Sequence, residues 1–194
     1  MKIRAGKVLA FGVALILTTL AMNSAFADDM QKIKIRLAGG FVQNILQVQV
    51  DMMGVPTGEV ESRGLAFVKG RGTFGRVDVM AVTASGPYES GKTCSPGFVP
   101  IADIVENNLV LTFDDLSLLY GNGSGVVCLN ELDPTAIPLA EVEGTWYGGT
   151  GRFASAGGTW SGRFDFAEPV GFATQFIAET GVLEGYVSRP RDDD

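Results

Sequence analysis

Residues 144–162 read GTWYGGTGRFASAGGTWSG, and this stretch decides the fold of the 194-residue chain. Apolar and polar side chains alternate on both sides of a glycine run, which is typical of two β-strands joined by a sharp corner. Glycine suits such a corner because it adopts backbone angles that other residues avoid. We predict a structural corner made of Gly149, Gly151, Arg152, Phe153 and Gly157. Phe153 can turn inward there and close one end of the fold.

The same alternation recurs along the rest of the chain. Ile33, Ile35 and Leu37 alternate with basic residues, and further runs of this kind surround 45–50, 74–81, 109–113, 116–120, 126–129, 160–166, 172–177 and 182–187. This period of two indicates about eight to ten half-buried strands, and no segment has the periodicity of an amphipathic helix. We therefore predict an all-β fold, a single antiparallel closed barrel of about eight strands, with a sandwich as the alternative.

Two segments are predicted to interrupt the strands. Asn122-Gly123 lies inside the run GNGSG at 121–125, and Asn-Gly favours the tight turn of a β-hairpin. Residues 86–106 contain Pro87, Pro96 and Pro100 together with Cys94, and we predict that they form the longest irregular loop.

The first 27 residues have the three parts of a secretory signal peptide. Lys2, Arg4 and Lys7 precede an uncharged apolar stretch at 8–20, and Ala25-Phe26-Ala27 supplies a small-residue cleavage site. We predict a helical signal peptide at 1–27, a β-barrel domain at 28–188 and a disordered acidic tail at 189–194. An uncleaved membrane anchor is the alternative, although polar Asn23 and Ser24 cut the apolar run short of a span. The expected location is exported, either periplasmic or extracellular.

The charge of the exported part disfavours several classes of partner. The signal peptide holds three of the 15 basic residues and none of the 22 acidic ones, so 12 basic against 22 acidic residues leave a formal charge of −10. Such a surface repels nucleic acid, and we expect neither nucleic acid nor, after signal removal, a membrane as partner. An outer-membrane barrel is a weaker alternative, because the aromatic residues do not form two girdles.

The two cysteines, Cys94 and Cys128, are expected to form a disulfide in an oxidising compartment. The bridge would close a loop of about 35 residues and contribute roughly 4 kcal/mol by the chain-entropy model. Two free thiols or a metal-binding pair are the alternatives. The chain contains no histidine to complete a metal site.

The run GGTGRFASAGGTWSG at 148–162 resembles the glycine signature of the allene oxide cyclase and dirigent-like barrel families. The residues that carry the resemblance are Gly149, Thr150, Gly151, Arg152, Phe153, Ala156 and Gly157. The segment at 109–129 is similar to that of small bacterial secreted members. The resemblance implies eight antiparallel strands around a cavity, as in lipocalins, and a cavity that steers a reactive intermediate. It implies no particular active-site residue, since the match lies in the corner and one fold supports many functions.

The residue types present exclude several kinds of chemistry. Without histidine the chain cannot form Ser-His-Asp or Cys-His nucleophile systems, nor histidine-based zinc or copper sites. We expect no metal and no cofactor, and the sequence identifies no catalytic residue. Three acidic pairs are candidates for acid–base work: Asp114 with Asp115, Glu141 with Glu143, and Glu179 with Glu184. Turns and solvated outer faces are the preferred interpretation of all three.

These observations favour an exported barrel that binds a small apolar or amphipathic molecule or acts as an interaction module. The residues expected to line its interior are Phe74, Phe113, Trp160, Phe164 and Phe172. A packed interior is equally compatible with them. A cyclase or isomerase that uses the shape of its cavity and one buried carboxylate is the first alternative, and a structural surface or matrix protein is the second.

Overall fold

The computed structural model describes residues 30–50, 56–133, 135–171 and 174–188. The predicted signal peptide, the predicted tail and Phe172 lie outside these residues. The described part consists almost entirely of antiparallel strands, namely β1 (Met30–Val50), β2 (Pro56–Gly72), β3 (Gly75–Gly86), β4 (Phe98–Phe113), β5 (Leu118–Asn130), β6 (Leu139–Gly149), β7 (Gly158–Phe166), β8 (Val170–Gly171) and β9 (Thr174–Ser188). None of the described residues forms a helix long and apolar enough to cross a membrane.

Eight of these strands form a closed barrel. Each strand from β1 to β6 pairs with the next, β7 pairs with β9, and β9 pairs back with β1, so the prediction of a closed antiparallel eight-stranded barrel is confirmed. The two-residue β8 pairs with β9 beside this ring. A line of paired residues drawn around the barrel from Ile177 returns to β9 at Val187, ten residues further along. Eight strands with such a stagger leave an interior that side chains fill or that holds one small ligand.

Strand alternation places the apolar side chains inside the barrel. Ile33, Ile35 and Leu37 are buried, whereas the basic residues between them are exposed, as the sequence predicts. The same alternation on β7 buries Trp160 and Phe164. The core of the barrel is therefore assembled from one face of every long strand.

The predicted hairpin at Asn122-Gly123 is wrong, because β5 continues through it. Asn122 is paired with Asn108 of β4 on one side and with Thr145 of β6 on the other. The glycines have a steric reason instead. A Cβ on Gly121 would stand 2.8 Å from the Trp146 indole. Gly121 and Gly123 therefore make room for two packed indole rings, those of Trp146 and Trp160, whose centroids are 5.7 Å apart.

Two further sequence predictions need correction. The irregular loop is shorter than 86–106, because β3 extends to Gly86 and β4 begins at Phe98. β4 also runs through Asn107 and Asn108, with a register shift between Ile104 and Asn107 that accommodates extra residues as a β-bulge. Strand β2 was not predicted. Its inward residues include Gly64, Ala66 and Gly70, and such small side chains leave no visible alternation of apolar and polar residues.

One end of the barrel is closed by the predicted corner. Residues 151–153 form a single 3₁₀ turn after β6, and Phe153 is fully buried between Phe74 and Phe113, at centroid distances of 5.7 and 4.9 Å. The Arg152 guanidinium lies 4.9 to 5.7 Å from the centroids of all three rings and donates a hydrogen bond to the Phe74 carbonyl oxygen at 3.1 Å. Arg152 also forms an ion pair with Asp115.

The corner glycines act in two different ways. Gly151 has a φ of +56° and Gly148 a φ of +138°, angles that favour glycine. Gly149 has no such angle, contrary to the prediction. It must be glycine because a Cβ would stand 2.1 Å from the Leu118 carbonyl oxygen. Gly157 forms a backbone bridge to Ser188, donating its N–H to the Ser188 Oγ at 2.8 Å.

A loop at 87–97 folds back over the outside of the barrel. The predicted Cys94–Cys128 disulfide is present and attaches this loop to β5. Asp103 accepts hydrogen bonds from the backbone N–H groups of Glu89 and Ser90 at 2.8 and 2.7 Å. Burial would raise the pKa of Asp103, but these bonds and that from the Ser90 hydroxyl together hold it below its usual value. The loop is thus fixed covalently and by a charged acceptor.

Candidate functional site

The end of the barrel opposite Phe153 contains a cavity of about 390 Å³. It lies next to the connections from β5 to β6 and from β7 to β8, which contribute Ile137, Pro138, Ala167 and Pro169 to its wall. Most of the wall is apolar, and all eight barrel strands supply residues to it. The barrel is therefore packed at one end and hollow at the other.

Small inward side chains explain why this end is hollow. Ala66 on β2, Ala81 on β3, Ala102 on β4 and Ala140 on β6 all line the cavity. At the closed end the equivalent inward positions carry large residues such as Phe113 and Leu111, both buried in the core. Because a barrel of fixed stagger has a nearly constant width, small residues on several walls leave space that large residues fill elsewhere.

The structure divides the predicted interior residues between the two ends. Phe164 lines the cavity. Phe74 and Phe113 do not, because they pack with Phe153 at the closed end. Trp160 also lies away from the cavity, where it packs on Trp146 and donates its indole N–H to the Thr145 carbonyl oxygen at 3.3 Å. Phe113, Trp160 and Phe164 point inward from their strands, but alternation carries no information about height along the barrel.

Glu179 is a buried carboxyl in the wall of this cavity. Glu179 lies on β9, where it is paired with Gly39 of β1 and with Phe166 of β7. Neither of these neighbours offers it a polar side chain. Only 7% of Glu179 is exposed, and its Oε2 atom has no hydrogen-bond partner. Burial raises the pKa of Glu179 to about 7. Near neutral pH this carboxyl therefore exists in both the acid and the carboxylate form.

A second buried polar group stands on the opposite wall. Asn107 on β4 is 5% exposed, lines the cavity and has no partner for its Oδ1 atom. Strands β4 and β9 are four strands apart in either direction around the barrel, so the two residues lie on facing walls. Nearer the strand ends, Gln43 donates a hydrogen bond from its side-chain amide to the Gln175 side-chain oxygen at 2.7 Å.

The other acidic residues considered from the sequence face solvent. Glu141 and Glu143 share the outer face of β6 and bind basic partners, Arg163 at 3.4 Å and Lys92 at 2.9 Å respectively. Glu184 pairs with Lys34 on the outside of the barrel.

The remaining acidic pair belongs to a turn. Asp114 and Asp115 follow β4, and the Asp115 carboxylate accepts a hydrogen bond from the Ser117 backbone N–H. Within the described ranges, no group of three or more His, Cys, Asp or Glu side chains is placed to hold a metal ion.

Glu179 was weighed in the sequence only as part of an exposed pair, although a signal for its burial exists. Ile177, Gly181 and Leu183 share its parity on β9, and Leu183 is fully buried. A lone charged residue at an inward position of a strand is a marker of a functional group, because an unpaired buried charge is costly. Asn107 offered no such signal, since the bulge before it breaks the alternation of β4.

No protein-family model, curated protein or solved structure matches the chain. The arguments about its function therefore rest on the cavity and on the residues in its wall.

Proposed function

We propose that the protein binds one small apolar or amphipathic molecule in the cavity at the open end of its barrel. The observation that carries the proposal is the hollow, mostly apolar space of about 390 Å³. It falls within the range of about 300–1,000 Å³ in which proteins bind small ligands. A barrel that served only as a scaffold has no need of small side chains on four of its walls.

The setting proposed for this binding is outside the cytoplasm. The Cys94–Cys128 disulfide supports it, because such bonds persist in oxidising compartments. The sequence pattern at 1–27 supports it independently. A kinship with the allene oxide cyclase and dirigent-like barrels remains part of the proposal, supported by the corner motif and the closed eight-stranded architecture.

The test measures the binding of Nile red, a neutral fluorescent probe, to the purified protein. We expect saturable fluorescence enhancement with the wild-type protein. Ala81→Phe would place a ring inside the cavity, and we expect it to weaken probe binding at least tenfold. Val82→Phe is the matched control, since Val82 is the next residue on β3 and points outward with 46% exposure. Equal binding by both variants, or none by the wild type, would refute the proposal.

Acid–base catalysis on the bound molecule is a second candidate function, and Glu179 is the observation that favours it. A carboxyl with a pKa near 7 in a water-poor cavity is able both to donate and to accept a proton at neutral pH. The cyclase or isomerase alternative needs one such group together with a cavity that fixes the shape of the substrate.

This second candidate is tested by incubating the protein with a mixture of small apolar metabolites and comparing the composition before and after. Catalysis predicts that the wild type converts at least one compound and that Glu179→Gln binds that compound but converts it at least 100-fold more slowly. Glu184→Gln, which changes an outward carboxylate on the same strand, is the control. Absence of any conversion that depends on Glu179 would leave binding alone as the function.

A further inference from the structure

The cavity presents two unsatisfied acceptors to whatever occupies it. Asn107 Oδ1 and Glu179 Oε2 are each more than nine-tenths buried and without a hydrogen-bond partner. Buried polar atoms in folded proteins are almost always paired, so both atoms call for donors supplied from elsewhere. Two other buried atoms without a hydrogen-bond partner, the Trp146 indole nitrogen and Arg152 Nε, belong to residues that do not line the cavity.

These two acceptors face the same part of the interior. Strands β9 and β4 lie on opposite sides of the barrel. Because the line of paired residues shifts along the strands by ten residues over a full circuit, it shifts by about half that amount between β9 and β4. The line of paired residues that starts at Glu179 reaches β4 at Leu111. After correction for this shift along β4, the residue at the same height in the barrel as Glu179 is close to Asn107. A polar group held at this level of the cavity therefore lies between the two side chains.

No positive charge from the described residues enters this space. Glu179 is the one ionisable side chain among the described residues that line the cavity. Gly39 and Phe166 flank it in the register, and strands β2 to β6 contribute only uncharged residues to the facing walls. The nearest basic and acidic side chains on the flanking strands, Lys34, Arg36, Arg163 and Asp165, are exposed on the outer face. The charge that would balance the carboxylate must come from the ligand.

We propose that the occupant is an amphipathic amine, whose protonated nitrogen donates hydrogen bonds to Glu179 and Asn107 while its apolar body fills the rest of the cavity. This inference rests on the proposed binding function and specifies the ligand class. The ammonium group supplies up to three donors to a wall that offers acceptors and restores the carboxylate to a paired state. The chain as a whole is acidic, with a formal charge of −7, which favours the approach of cations over that of anions. A fatty acid, by contrast, would place a second carboxylate beside the first.

The test uses three ligands with the same eight-carbon chain: octylamine, 1-octanol and octanoate. Each displaces Nile red from the wild-type protein at pH 8, where octylamine is protonated and Glu179 is mostly ionised. We expect octylamine to bind about ten- to one-hundredfold more tightly than 1-octanol, since a hydrogen bond between charged groups exceeds one between neutral groups. We expect octanoate to bind more weakly than 1-octanol.

The pH dependence is the second readout and requires no variant. Between pH 8 and pH 5 the ionised fraction of Glu179 falls, so the affinity for octylamine should fall by up to about 100-fold while that for 1-octanol changes little. In Glu179→Gln at pH 8, octylamine should lose its advantage and bind no more tightly than 1-octanol, because its ammonium group would then be buried without a carboxylate partner. Glu184→Gln, with its substitution on the outer face of the same strand, should behave as the wild type.

The outcomes separate this inference from the proposed function. Binding of Nile red and 1-octanol without preference for octylamine refutes the amine and leaves the cavity as a binding site. An amine preference that survives in Glu179→Gln or that is insensitive to pH refutes the role of Glu179. Failure of all three ligands and of Nile red overturns the binding function itself.

Discussion

Glu179 illustrates how a single position on a strand can carry a group that the packing of the fold does not require. Alternation along β9 obliges residue 179 to point inward, next to Ile177 and Leu183 on the same face. A carboxyl there is desolvated and has no partner for Oε2, so its ionisation opposes folding. An apolar residue of similar size would be more stable, and the presence of a carboxyl is therefore a sign of selection for something other than stability.

The first prediction concerns the pH dependence of stability. Below about pH 4.5 the carboxyl of Glu179 is protonated in the folded and unfolded chain alike, so it has no effect. As the pH rises to about 7 the unfolded chain releases this proton while the folded chain retains it, and above that value the folded chain must carry a buried charge. Between pH 5 and pH 8 we expect the free energy of unfolding of Glu179→Gln to rise by about 3 kcal/mol relative to that of the wild type.

Urea unfolding at several pH values between 5 and 8 measures this effect. Glu184→Gln is the control, because Lys34 at its side lowers the pKa of Glu184 and places its titration below this window. Parallel stability profiles for the wild type and Glu179→Gln would contradict the assignment of a raised pKa to Glu179.

At the scale of an element, β5 shows that glycines in a strand can be spacers for large side chains on its neighbours. The run GNGSG at 121–125 satisfies every local rule for a hairpin turn, yet the strand passes straight through it. Long-range packing decides the outcome, since the Trp146 and Trp160 rings occupy the space that a Cβ at Gly121 would need. Local turn preferences are overruled where the pairing of two neighbouring strands is complete on both sides.

The second prediction tests this interpretation of β5. Gly121→Ala introduces a methyl group within 3.0 Å of both indoles, and we expect it to lower the free energy of unfolding by about 1–3 kcal/mol. Gly86→Ala is the matched control, because nothing lies within 4 Å of a Cβ at the end of β3. We expect that change to stay within about 0.5 kcal/mol. Equal thermal stability of the two variants would show that the indoles do not require a glycine at 121.

Particular residues show what could be predicted from the sequence. The inward positions of Ile33, Ile35 and Leu37 follow from the alternation along β1. The pairing of the two cysteines follows from the expected oxidising compartment, and the inward position of Phe153 follows from the glycine-rich corner. Strand β2 escaped detection because, apart from Val68, its buried inward residues are glycine, alanine and serine. The placement of Asn107 and Glu179 on facing walls of the cavity depends on which strands face each other, which is set by closure and stagger of the whole barrel. No local pattern encodes that relationship.

At the scale of the whole molecule, one end of the barrel is packed and the opposite end is hollow. Phe74, Phe113 and Phe153 close one end under the Arg152 guanidinium, and small residues open the other. The loop at 87–97 is attached to the outside of β5 and β6. Cys94 forms the disulfide with β5, and the Ser95 backbone N–H donates a hydrogen bond to the Glu141 carboxylate of β6 at 2.9 Å. The wall around the cavity is thus held by contacts that do not themselves enter it.

The third prediction follows from this division. Phe153→Ala removes a fully buried ring from the closed end, and we expect it to lower the free energy of unfolding by about 3–5 kcal/mol. Nile red affinity at the opposite end should change less than twofold for the protein that remains folded. Phe153→Leu, which retains most of the volume, should cost less. A parallel loss of stability and affinity would show that the two ends are coupled.

The alanines that widen one end of the barrel also make the shape of the cavity easy to change by substitution. Ala66, Ala81, Ala102 and Ala140 stand on four different strands and border empty space, so larger residues at any of them would reshape the cavity without displacing a packed neighbour. The aromatic cluster at the far end would retain its contacts throughout. Related chains could thus acquire different small-molecule preferences by a few substitutions each, while inheriting the same stable frame.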